Sequence, residues 1–93
     1  MIVQGDVDAR EFKRLFRAGF IRVAGNWKLH IYGQLNCRSG KRMKKSNRVF
    51  FTTRAEAEEL GFRPCAHCMR AAYAAWKLNF LNSFHLSYQQ DSG

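Results

Sequence analysis

Acidic residues are scarce in this chain, with seven Asp and Glu against sixteen Lys and Arg, a formal charge of +9 at pH 7. No apolar run approaches the roughly 18 residues that a membrane-spanning helix needs, which excludes such a helix. The start, Met1 to Asp6, lacks a basic segment followed by an apolar one, so no secretory signal is read there. Cysteine is also sparse. Three residues, an odd number without a signal peptide, argue against a disulfide framework and for reduced thiols in the cytoplasm. No carboxylate pair, Ser-His-Asp set or glycine-rich phosphate loop is present, so catalysis would have to rest on a metal alone. Internal repeats and linkers are absent too, and 93 residues make one domain.

What is present is a hydrophobic fraction of 46%, including eight Phe and two Trp, enough for a real core. A chain this short buries only about two-thirds of its unfolded surface, so a structural metal would help it. The basic excess favours a polyanion, most often nucleic acid, because each neutralised phosphate releases condensed counterions.

The cysteines are arranged for a metal. Cys65 and Cys68 form a Cys-x-x-Cys turn behind Pro64, and Cys37 lies twenty-eight residues upstream of Cys65. Zinc takes about four N or S donors in a tetrahedron, and two thiolates on one turn plus a distant third fit that need. On spacing alone a metal site, reduced structural thiols and a redox pair all stand. The redox reading lacks the βαβ context that it requires.

Along the chain, Asp8-Ala9-Arg10-Glu11 has the form of a capping box and opens a helix from about Ala9 to Ala18, stopped by Gly19. Strands are expected at 20–23 and 27–32, with Ala24-Gly25-Asn26 as the hairpin turn between them. In the second strand Trp27, Leu29 and Ile31 would share one face, leaving His30 on the other. A basic loop follows, with Arg38, Lys41, Arg42, Lys44, Lys45 and Arg48 uninterrupted by any acid. Arg48 to Phe51 reads as a third strand. Thr53-Arg54-Ala55-Glu56 is a second capping box, for a short helix at 54–60 that carries Glu56, Glu58 and Glu59 and ends at Gly61. From Met69 to Leu81 a helix is expected, its stripe of Tyr73, Trp76 and Phe80 assigned to the core. Residues 82–93 read as a loose polar tail, so the domain is placed at 1–81.

Ile31-Tyr32, Cys37, Asn47-Arg48-Val49-Phe50-Phe51, Glu56-Ala57 and Gly61-Phe62-Arg63-Pro64-Cys65-x-x-Cys68 together resemble the Ada-type metal-binding domain. This is the small zinc module of the bacterial Ada methyl-phosphotriester repair and regulatory protein. The likeness runs from about Gly25 to Cys68 and is densest in the last block. It implies zinc as the cofactor, with Cys37, Cys65 and Cys68 as ligands. In Ada the motif reads Ile-Tyr-Cys-x-x-x-Cys, and its first cysteine is both zinc ligand and methyl acceptor. Many stand-alone relatives look like Ile-Tyr-His there. In this chain the matching residue is Gly33, so the methyl acceptor has no counterpart. For the fourth ligand the candidates are His67, inside the cysteine turn, an exogenous ligand, then His30, with His85 more remote.

The expected fold is α+β: a three-stranded antiparallel sheet with flanking helices and a long C-terminal helix, tied by one zinc. The expected function is DNA binding through the basic loop, with phosphate contacts from Arg38, Lys41, Arg42, Lys44, Lys45 and Arg48 and further ones from Arg63 and Arg70. Methyl-acceptor repair is not expected. The alternatives are a zinc-stabilised module that binds a protein partner, and a thiol-reactive enzyme or sensor using an open metal position.

Overall fold

A computed structural model describes residues 1–37 and 43–92, with side chains described as far as residue 81. The chain runs β1 (Ile2–Val3), a 3-10 turn (Gln4–Asp6), α1 (Ala9–Arg17), β2 (Val23–Asn26), β3 (Ile31–Gly33), β4 (Arg48–Phe51), α2 (Arg54–Glu59), β5 (Arg63–Pro64) and α3 (Arg70–Ser92). The fold is α+β, as expected, but the sheet has five strands in the order β1-β4-β2-β3-β5. The two additional strands, β1 and β5, hold two residues each, too few to carry a period. β5 runs parallel to β3, which makes the sheet mixed.

Both expected N-caps form. Asp8 accepts from the Glu11 N–H at 2.8 Å, and Thr53 Oγ1 accepts from the Glu56 N–H at 3.1 Å. Gly19 and Gly61 stop their helices with φ of 86° and 87°, values that glycine adopts without a Cβ penalty.

The hairpin is displaced from its expected register. Ala24, Gly25 and Asn26 belong to β2, pairing with Gly33, Tyr32 and Ile31. The turn is instead Trp27 to His30, closed by His30 N–H to the Asn26 carbonyl at 2.8 Å and by Leu29 N–H to Asn26 Oδ1 at 3.1 Å. His30 ends it at φ 56°, so it lies on no strand face. Gly25 is in the strand because the sheet face leaves no room for more. A Cβ there would stand 2.9 Å from Phe51 and 3.0 Å from Val49.

Strand alternation divides the core. On one face Val23, Tyr32, Val49 and Phe51 pack with Ala57 of α2 and Phe62. On the other, Ile21, Ala24 and Phe50 are covered by Phe12 and Leu15 of α1. The aromatic stripe of α3 is not part of this core. Tyr73 and Trp76 are half-buried and Phe80 is 57% exposed, although the rings stack on one another at 6.0 and 5.5 Å. Spacing puts the rings on one side of a helix, and only a sheet face lying opposite could bury them. The helix also continues from the expected stop at Leu81 to Ser92. It contributes to an elongated molecule of 57 × 22 × 20 Å.

Candidate metal centre

The site forms where β3 and β5 end side by side. Cys65 N–H donates to the Tyr32 carbonyl at 2.7 Å and Arg63 N–H to the His30 carbonyl at 2.8 Å, so the pairing passes over Pro64. Pro64 lacks a donor, and an edge strand tolerates that. β3 then turns through Gln34, whose carbonyl accepts from Cys37 N–H at 3.1 Å. On the other side Met69 N–H donates to the Cys65 carbonyl at 3.1 Å, wrapping the Cys-x-x-Cys turn into α3.

These local turns bring three sulfurs together. The donor atoms of Cys37, Cys65 and Cys68 all lie within 4.8 Å of one another, with Cys37 Sγ 4.0 Å from Cys65 Sγ. Thiolates around tetrahedral zinc at ~2.3 Å stand about 3.8 Å apart, so this set fits zinc with little adjustment. No disulfide joins any of them. Backbone amides point at the sulfurs, Gln34 N–H to Cys68 Sγ at 3.3 Å and His67 N–H to Cys65 Sγ at 3.4 Å. Burial pushes the metal-free Cys68 thiol up to about 11, and the Cys37 and Cys65 sulfurs add to this while the Gln34 amide opposes it.

The family model for the metal-binding domain of Ada matches residues 13–70. The chain belongs to this family. No curated protein and no solved structure matches it. Zinc is the metal of this family, and the cluster of Cys37, Cys65 and Cys68 fits it.

The other expected site residues fall in different places. His67 is exposed and, through its side chain, no member of the donor group. His30 is exposed, its ring lying 4.7 Å from Phe62 and 5.1 Å from Trp27. Arg38, Lys41, Arg42 and the side chain of His85 lie outside what the structure describes. Lys44 and Lys45 are exposed. Arg48 is turned inward: its Nη2 donates to the Leu35 carbonyl at 3.0 Å, and its guanidinium lies 5.3 Å from the Phe50 ring centre. Burial lowers its pKa, partly offset by Cys37 nearby. Arg63 lies over the Tyr73 and Trp76 rings at 5.3 and 5.7 Å.

Two features of the Ada-type centre escape sequence reasoning. One is the amide cradle around the sulfurs, which uses backbone groups and so leaves no mark on side-chain identity. The other is a cleft of about 280 Å3 beside Gly33, Cys37 and Cys65. Two of the three acids of α2 are occupied within the fold: Glu58 accepts from the buried Tyr32 hydroxyl at 2.6 Å, and Glu56 Oε1 from Thr52 N–H at 3.0 Å.

Proposed function

We propose that this Ada-type domain is a zinc-held DNA-binding module that grips phosphates through the basic segment between β3 and β4, without methyl-acceptor repair. The observation that carries the reading is the anchoring of that segment. At one end stands Cys37, a zinc ligand. At the other, Asn47 and Arg48 N–H groups donate to the Lys44 carbonyl at 2.9 and 3.1 Å, Trp27 N–H to the Asn47 carbonyl at 2.8 Å and Gly5 N–H to the Lys45 carbonyl at 3.1 Å. Charges on an anchored loop lose less entropy on meeting a phosphate than charges on a free tail. The net charge of +9 supports a polyanionic partner, and the family resemblance supports DNA. Zinc's contribution is structural, a cross-link between β3 and the start of α3. Gly33 in the acceptor's place supplies no nucleophile, which speaks against methyl transfer of the Ada kind. The reduced thiols suit a cytoplasmic setting.

Such contacts are directed at the backbone of DNA and discriminate weakly between sequences. Replacing Lys41, Arg42, Lys44 and Lys45 together should flatten the slope of log K against log salt by about four. An unchanged slope would remove this segment as the contact surface. Half-buried Arg48, its Nη2 on the Leu35 carbonyl, supports the loop from beneath.

The exposed Leu78, Phe80 and Leu81 of α3, each at least 50% accessible, favour a second reading, docking of a protein partner. Folded, zinc-loaded protein that fails to bind any nucleic acid at low salt would favour it over the first.

A further inference from the structure

Position 33 carries no donor, and there is no room for one. An added Cβ would stand 2.6 Å from Cys68 Sγ and 3.2 Å from Cys65 Cβ. Zinc nevertheless takes four ligands. Among the described residues the donor group closes at three. The segment 38–42, Arg-Ser-Gly-Lys-Arg, contains no Cys, His, Asp or Glu. Position 85 stands fifteen residues beyond Arg70 on α3, about 22 Å along its axis at 1.5 Å per residue. His67, which lines the cleft next to Cys37 and Cys65, also stands outside that group as placed, so no described side chain completes the tetrahedron.

A cleft lies beside two of the sulfurs, those of Cys37 and Cys65. Its lining joins Cys37 and Cys65 to the apolar Leu29, Ile31 and Met43 and includes His67. We infer that the fourth zinc position opens into this cleft and takes an exogenous low-molecular-weight thiol, bound as its thiolate. Three sulfurs already make the ion a soft acceptor, which favours a fourth sulfur over a phosphate or carboxylate oxygen. The apolar lining residues suit an organic body on that sulfur. Arg63, which also lines the cleft, and the overall charge of +9 offset the added negative charge. On binding, the thiol gives its proton to solvent and its sulfur forms one bond to the metal, so nothing is oxidised or reduced. The inference rests on the zinc assignment and is independent of DNA binding.

The test uses the full chain loaded with Co2+, kept reduced by a phosphine and titrated with benzyl mercaptan or 2-mercaptoethanol. Sulfur-to-cobalt charge-transfer absorption should rise saturably by about one third as three thiolates become four. Benzyl mercaptan should saturate at the lower concentration. Leu29→Trp, in an exposed turn, should raise the concentration of benzyl mercaptan needed while cobalt stoichiometry stays unchanged. His67→Ala should leave the thiol-free spectrum as it was. Four results would each overturn the inference: no saturable rise, a response to inorganic phosphate but not to thiols, stripping of the metal by the thiol, or an altered His67→Ala spectrum. Because cobalt uptake is read separately from salt-dependent DNA binding, failure here does not coincide with failure of the DNA reading.

Discussion

At Gly33 the absence of a single side chain decides what this domain can be. Its missing Cβ leaves the volume that Cys68 Sγ occupies. Gly33→Ala should therefore push that sulfur away from Cys37 and Cys65 and lower zinc affinity by about tenfold or more, a scale typical of disturbed ligand orientation. Competition against a chromophoric chelator measures it, and wild-type affinity would show that Cys68 has a second rotamer able to bind. Cys68 carries a pH signature as well. Burial and neighbouring sulfurs hold its metal-free thiol neutral up to about 11, so folding disfavours the thiolate. The sign follows: below the unfolded-state value both states are neutral and nothing is lost. Between that value and about 11 the unfolded chain ionises first, and metal-free protein loses stability as pH rises. Alkylation of Cys68 in chelated protein should keep accelerating to about pH 11. A plateau near pH 9, the ordinary thiol value, would contradict the burial.

Among the elements, α2 shows how local signals reach the site. Thr53 caps it and Glu56 reaches back to Thr52 N–H, so its position is set within its first turn. From there Ala57 fills the sheet face and Glu58 holds the Tyr32 hydroxyl. Tyr32 in turn offers its carbonyl to Cys65. Thr53→Ala should lower the stability of zinc-loaded protein by about 1 kcal/mol, read as a shifted urea midpoint at constant slope. No shift would mean that packing around Ala57 alone holds the helix. β5 behaves differently. With only two residues, it is positioned by its neighbours β3 and α3.

For the molecule as a whole, folding and metal binding should be linked, because the zinc site joins the end of β3 to the start of α3. Chelation should make Tyr32 to Cys37 and Arg63 to Tyr73 open more often, with the closed form still the major state, while the central β2–β4 pairing keeps its core of Val49, Phe50 and Phe51. Amide exchange compared with and without chelator would show this. Equal protection of both regions after chelation would mean that the sheet holds the site without the metal.

Much of this was legible in the chain. Both capping boxes announce their helices because their chemistry is local, a side-chain oxygen meeting an amide three residues on. The meeting of the three cysteines could be read because the Cys-x-x-Cys turn needs only neighbouring residues and Cys37 sits in the family motif. Tertiary structure decided the rest. Gly25 resembled a turn residue until the rings of Phe51 and Phe62 lay over it, and the α3 stripe resembled core until no sheet face stood opposite. The inward turn of Arg48 and the cleft beside Gly33 likewise depend on which segments meet. Signals that act within three or four residues survive in sequence, whereas packing depends on residues far apart in the chain, whose meeting the local pattern does not encode.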